Sequence, residues 1–212
     1  MIRFHHDFDS LLMGINFEFL ENYTDTIFAL SNNLVLIYFN PAWFNFARDN
    51  DGEPAISERF ILGTHICDFI TGEILEYYLE VFQRILQTGK IWHHDYECSS
   101  PKMLRKFYQT VYPLYERKGL LIVNSLVKEA PQDENAINPH EAIDAYYRQP
   151  SGLITQCCNC RRIRRVGNQD EWDWVPAWVE KIPEKTSHTI CKVCFEFYKL
   201  DLKYLYGKQN YS

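Results

Sequence analysis

Four of the chain's seven cysteines fall into two pairs of identical spacing, Cys157-x-x-Cys160 and Cys191-x-x-Cys194. Two intervening residues let both thiolates of a pair face one centre from a tight knuckle, with backbone N–H groups turned toward the sulfurs. Two knuckles supply four sulfurs, the donor set of tetrahedral Zn²⁺ at roughly 2.3 Å per bond. The spacing predicts a structural zinc site on Cys157, Cys160, Cys191 and Cys194. Two other readings stand beside it: reduced thiols filling space as small apolar side chains, and a redox pair. A thioredoxin-type nucleophile wants its CxxC between a strand and the start of a helix in a βαβ setting. Neither cluster has that setting. Cys158 has no place in the pattern; it can substitute for Cys157, and His188 can compete as a ligand.

The first pair sits in "QCCNCRRIRR", which adds Arg161, Arg162, Arg164 and Arg165. Four thiolates around a divalent ion keep a formal charge of -2, so neighbouring donors and counter-charge are the structural reading of these arginines. The functional reading is an anionic partner, a nucleic acid or an acidic protein face. The patch is small and the chain acidic, which favours the structural reading.

Thirty residues separate the two cysteine pairs, enough for a helix around "EWDWVPAWVEK" that buries Trp174 and Trp178 in a miniature core. A module of about 50 residues has little interior of its own, so a metal has a physical task there. The whole chain of 212 residues has room for one medium domain besides; at 46% hydrophobic and 16% aromatic it can bury a proper core. Net charge is -6, which argues against a surface given over to nucleic acid or anionic lipid. Residues 151–212 carry ten Lys/Arg against seven Asp/Glu, or +3; residues 1–150 carry 12 against 21, or -9. No apolar run approaches the roughly 20 residues of a membrane span. "MIRFHHDFDS" lacks the pattern of a secretory signal. An odd number of cysteines, five of them clustered, is no disulfide framework, and a reducing cytoplasm is the expected setting.

Residues 1–20 end in "LLMGINFEFL", a short helix or extended cap expected to cover apolar surface. "TDTIFALSNNLVLIYFN" reads as two strands around a turn at Ser31–Leu34. Pro41 is placed to open a helix whose apolar side carries Trp43, Phe44 and Phe46, and Gly52 to end its exit loop. A long helix follows, with Ile74, Leu75, Tyr78, Leu79, Phe82, Ile85 and Leu86 as its buried stripe, Thr71 as its cap and Gly89 as its stop. "IWHHDYECSS", "LRKFYQTVYPLYER" and "GLLIVNSLVKE" then form an antiparallel meander with a turn at Lys118-Gly119. Residues 130–150 read as a polar linker and a short helix halted by Pro150 and Gly152. The fold class is α+β: a five-stranded antiparallel sheet with helices on one face, plus a small C-terminal module over residues 151–200 and a tail over 201–212.

In this order of elements, residues 21–129 resemble a PAS domain, a family of small sensory modules. The resemblance is carried by "DTIFALSNNLVLIYFNPAWFNFARDNDG", "GTHICDFI", the long helix and "GLLIVNSLVKE". The segment "CNCRRIRR", with "EWDWVPAWVE" and the closing "SHTICKVC", resembles a zinc-ribbon-like tail found on bacterial PAS and response-regulator proteins. The resemblance implies signal transduction, a homodimer, and a pocket between sheet and long helix for an unidentified small molecule. Phe44, Phe69, Tyr78, Phe82, Tyr96, Phe107 and Ile122 would line that pocket. For any single one of these side chains, simple space-filling is the plainer role.

Cys67, in "HICDF", lacks the pattern of photoactive relatives, so covalent flavin is not expected. The long helix has no histidine, which argues against haem; His65, His93 and His94 are expected to make surface or backbone hydrogen bonds. Hydrolase, nucleotide-loop, kinase, cyclase and helix-turn-helix motifs are missing from the sequence. The expectation is a cytoplasmic sensory or protein-interaction module with a zinc-holding tail and no catalytic output. A nucleic-acid-binding regulator and a thiol–zinc redox sensor are its alternatives.

Overall fold

The structure is a computed structural model that describes residues 2–12, 14–70, 73–133 and 137–198. They divide into two compact units. The first draws on residues 1–71, 75–95 and 107–126, the second on 72–74, 96–106 and 127 onward.

In the first unit, α1 (Phe17–Asn22) precedes β1 (Thr26–Ser31) and β2 (Leu36–Phe39). The turn joining the strands forms where Ser31–Leu34 predicts it: the Leu34 N–H reaches the Ser31 carbonyl at 2.9 Å, and Leu34 takes a φ of 58°. Pro41 opens α2 (Pro41–Asp49) as expected, since its missing N–H is not needed in a first turn. The cap is Asn40, fully buried, and its Oδ1 accepts both the Trp43 and Ile27 N–H groups, at 3.1 and 2.9 Å. One side chain thus caps α2 and fixes it to β1. α3 (Ala55–Arg59) and α4 (Glu73–Thr88) follow, then β3 (Trp92–Glu97), β4 (Met103–Pro113) and β5 (Gly119–Pro131), of which residues 73–74, 96–97, 103–106 and 127–131 count with the second unit.

The five strands form one antiparallel sheet in the order β2-β1-β5-β4-β3, so the first and last strands in sequence pair at its centre, from Thr26 opposite Asn124 to Ser31 opposite Gly119. The α+β class with a five-stranded antiparallel sheet is therefore as the sequence implies. On one side of the sheet Trp43 meets Phe28 edge-on at 5.3 Å and Phe46 meets Phe107 at 5.6 Å, which seats α2 there. α4 buries Tyr77, Val81, Phe82 and Ile85 most deeply, with Tyr78, Leu79 and Leu86 at the flank. The face is turned by one residue from the expected stripe because the Tyr77 ring goes inward, 6.1 Å from Trp92 and 5.8 Å from His94. Gly89, at φ 71°, ends the helix with its N–H on the Ile85 carbonyl. The expected cap, Thr71, lies outside the described residues. The expected turn at Lys118-Gly119 is instead a loop over residues 114–118 in which Glu116 and Arg117 take positive φ.

The opposite side of the sheet is covered by the N-terminal segment, as its apolar pattern implies. Phe8, Leu12 and Leu20 are buried against Ile27, Ala29, Tyr38 and Leu121, and Phe8 stacks on Tyr38 with centroids 4.3 Å apart. Burying a ring of that size contributes about 1.5–3 kcal/mol. The segment is also held by a charged group of three. Arg3 grips Glu21 through Nη1 and Nη2, and the Tyr38 hydroxyl donates to Glu21 Oε1 at 2.9 Å. Burial alone would raise the Glu21 carboxyl, but the hydrogen bonds from Arg3 and Tyr38 outweigh it and hold the group below its ordinary value. A lowered carboxyl contributes stability that is complete above its unfolded value of about 4.3 and is lost as pH falls through the folded value. Acid unfolding monitored between pH 6 and 2 is expected to show this loss. In Glu21→Gln it should be flattened, and an unchanged pH profile would assign the cap's stability to apolar contact alone.

In the second unit, α5 (Asp144–Tyr147) leads into β6 (Ile154–Cys157), β7 (Ile163–Arg164), β8 (Trp172–Asp173), α6 (Pro176–Glu180) and β9 (Thr186–Thr189). Residues 192–198 are helical. The strands are ordered β8-β7-β6-β9, with β6 and β9 parallel. Tyr147, Ile154, Ile163 and Val175 make the core, and Trp178 packs on it. The helix expected around "EWDWVPAWVEK" is confined to α6, because Trp172 and Asp173 pair with β7 and Pro176 admits a helix only after itself. Trp174 is buried all the same. His140 donates its N–H to the Trp174 carbonyl at 2.8 Å, so the polar stretch ahead of α5 joins the same body. Residues 201–212 lie outside the described residues. Among the described residues, no helix is long and apolar enough to cross a membrane.

Candidate metal centre

Parallel pairing of β6 with β9 sets Cys157 opposite Thr189, and this brings the two cysteine pairs to one end of the small sheet. The first pair lies in the reversal from β6 to β7. There the Cys157 N–H bonds the Arg162 carbonyl at 2.8 Å and the Arg161 N–H bonds the Cys157 carbonyl at 3.1 Å. Arg161 completes the reversal at a φ of 62°, in the left-handed region that few side chains enter. The second pair follows β9 directly and runs into the helical turn, where the Phe195 N–H reaches the Cys191 carbonyl at 2.8 Å.

The ligand atoms of Cys157, Cys160, Cys191 and Cys194 all lie within 4.8 Å of one another. The Cys160 and Cys191 sulfurs are 3.8 Å apart. That is the edge of a tetrahedron whose centre-to-corner bonds are about 2.3 Å, whereas a disulfide would draw two sulfurs to about 2.05 Å. All seven cysteines carry free thiols. Cys157, Cys191 and Cys194 are buried and Cys160 is half-buried. Two N–H donors already point at the group: the Cys191 backbone at Cys157 Sγ, 3.4 Å, and the Asn159 side chain at Cys194 Sγ, 3.2 Å.

The protonation of the four thiols is linked. Hydrogen bonds from Cys160, Cys191 and Cys194 hold the Cys157 thiol far below its ordinary range. Contacts led by Cys157 and joined by Cys191 push Cys160 and Cys194 far above it. Cys191 is opposed by Cys157 but lowered by Cys160 and Cys194, to about 7. Four thiolates at this spacing repel one another, so the full set calls for a cation. The four cysteines could hold a metal ion. Cys158 stands outside the group, its N–H spent on the Thr189 carbonyl, and His188 is exposed on β9, also outside it.

The arginines of the first knuckle are largely occupied along β7 and β8. Arg162 donates to the Trp172 carbonyl at 3.4 Å, Arg164 to Thr155 at 3.3 Å with its guanidinium 6.0 Å from the Trp172 ring centre, and Arg165 to the Asp173 carboxylate. Asp173 also receives the Tyr147 hydroxyl at 2.9 Å. Arg161 Nε is buried and makes no hydrogen bond.

In the first unit the candidate pocket residues are spread through the core. Phe82, Phe107 and Ile122 are buried; Phe44, Phe69 and Tyr78 are half-buried, with rings 5.7 Å from Phe39, 4.8 Å from Phe60 and 5.5 Å from Phe82 respectively. Tyr96 belongs to the second unit. A polar pair on the central strands escaped the sequence reading. Gln109 on β4 donates to Asn124 on β5 at 2.8 Å, both residues are buried, and Gln109 Oε1 has no partner. His65 accepts the Cys67 N–H at 3.1 Å, His93 contacts Thr110 Oγ1 at 3.2 Å, and His94 is buried in a stack on Trp92. His5, His6 and Asp7 form a second, exposed group with ligand atoms within 4.8 Å.

No protein-family model matches the chain, and no curated protein matches it. Among solved structures, a domain of an HTR-like protein from Haloarcula marismortui is similar at 15% identity and a TM-score of 0.36, covering 50% of this chain and 100% of that one.

Proposed function

We propose that the chain is a sensory or protein-interaction module of PAS type without a catalytic output, whose C-terminal unit is a zinc-ribbon-like fold held by one Zn²⁺. The observation that carries the metal is the four-sulfur group, with its 3.8 Å edge and its paired knuckles. Four soft thiolate donors in tetrahedral array suit zinc or iron, and closed four-cysteine sites of this spacing are the structural zinc kind. The small core beside it, built on Tyr147, Ile154, Ile163 and Val175, supports a structural task for the ion.

For the first unit, support comes from the five-stranded antiparallel sheet and from the PAS-like run of elements over residues 21–129. The Gln109–Asn124 pair offers a hydrogen-bonding handle within a largely apolar interior, which suits a small molecule with a polar edge. A second copy of the chain and a signalling protein are the partners this reading assigns, in a reducing compartment that keeps the thiols free. Native mass spectrometry of protein purified without chelator tests it. The expected spectrum shows one bound ion of zinc mass per chain, a dimer, and no visible absorption from iron. Metal-free protein that keeps a protected C-terminal unit would remove the metal from the reading.

A further inference from the structure

Asn159 fills the last position between the cysteines of the first knuckle, yet its side chain serves a sulfur of the second. Its Nδ2 donates to Cys194 Sγ at 3.2 Å and its Oδ1 accepts the Tyr198 hydroxyl at 3.2 Å. Tyr198 is buried at 5% exposure and lies four residues beyond Cys194, one helical turn along residues 192–198. The tyrosine hydroxyl can donate only to the amide oxygen, never to the amide nitrogen. A thiolate only accepts, so the amide nitrogen is the end that serves Cys194, and the oxygen is left to take the tyrosine proton.

We propose that Tyr198 and Asn159 form a positioning relay that sets the electron density on Cys194 and thereby how tightly the four-thiolate centre retains its divalent ion. The inference rests on the metal reading above and extends it to residues outside the ligand set. A hydrogen bond to a thiolate draws charge from the sulfur lone pairs, which steadies a centre whose net charge is negative and makes that sulfur a poorer nucleophile. Because the bond runs from one knuckle to the other, it also ties the two halves of the site together.

Cobalt is the probe, since its thiolate-to-metal charge-transfer band reports the sulfur donors directly. In the full chain, Asn159→Ala is expected to weaken Co²⁺ binding roughly 10- to 100-fold, the usual cost of losing a partner behind a metal ligand. The charge-transfer band should move to lower energy. Tyr198→Phe, which deletes one oxygen and keeps the ring, should shift the band in the same direction by less. An unmoved band in both variants overturns the relay, even where affinity falls, because a purely structural role would leave the sulfur electronics alone. Wild-type protein that gives no thiolate–cobalt band overturns the metal reading and the relay with it. A normal wild-type band with indifferent variants sinks the relay alone.

Discussion

Cys191→Ser is expected to abolish metal binding and to unfold the C-terminal unit, the largest effect of any single change in the chain. Cys191 is 4% exposed, stands where β9 gives way to the helical turn, and donates its own N–H to Cys157 Sγ. Serine keeps the shape but not the donor, since a hydroxyl stays protonated where a thiol ionises. Three thiolates and a hydroxyl cannot replace the closed four-sulfur set. Structural zinc binds such sites with an apparent 10–16 kcal/mol at neutral pH, about as much as the entire folding stability of an ordinary domain. The residual core of Tyr147, Ile154, Ile163 and Val175 is too small to make up the difference. Zinc stoichiometry, fluorescence of Trp172, Trp174 and Trp178, and proteolysis within residues 139–198 would read the outcome together. Cys158→Ser is the matched control: it alters the neighbouring thiol, which lies outside the group, and should keep one ion per chain. A Cys158→Ser variant that loses the ion would reassign the ligands, and a metal-free Cys191→Ser variant with native protection would make the ion dispensable to the fold.

The clustering of the four cysteines was legible because their spacing is itself geometry: two residues between thiols define a knuckle before any tertiary contact is known. What lies behind the sulfurs was not. Asn159 reaches Cys194 only because β6 and β9 run parallel with Cys157 beside Thr189, a long-range pairing that no local pattern encodes. The four arginines were legible as charge but not as contacts, since the partners of Arg162, Arg164 and Arg165, namely Trp172, Thr155 and Asp173, sit on flanking strands. In the first unit the order of elements followed from periodicity and turn residues, and Pro41 announced α2; its cap, Asn40, emerged only with the structure. The buried face of α4 was read one residue off. A tyrosine counts as half polar in any periodicity, and only Trp92 and His94 across from it decide that the Tyr77 ring points inward. Gln109 and Asn124 were passed over for a related reason: amides look like surface residues until the strand register sets them against each other.

Gly119 shows the same limit and leads to the second large effect. In sequence it reads as a turn former, yet it pairs with Ser31 as the first residue of β5, and its φ is not in the left-handed region. What the position requires is the missing side chain. A Cβ there would stand 2.5 Å from the Leu30 carbonyl oxygen and 3.0 Å from Leu114 Cδ1. The first of these is backbone on the neighbouring central strand and cannot swing aside, so the β1–β5 pairing would have to part. Gly119→Ala is expected to cost about 3 kcal/mol, the upper end of ordinary overpacking, and to lower the Tm of the first unit by on the order of 10 °C. Gly89→Ala supplies the contrast. That position has φ 71° but only Arg117 Cδ near the added carbon, at 3.8 Å, so its cost is backbone strain of about 1–2 kcal/mol. Chemical denaturation of the two variants, read by the aromatic signal of the sheet, should rank Gly119→Ala clearly below Gly89→Ala. Metal stoichiometry should hold at one per chain in both, because the sulfur group draws on the second unit alone. Equal costs would mean that β1 and β5 can separate locally at Gly119. The glycine would then be a convenience of the loop and not the reason the two central strands approach so closely.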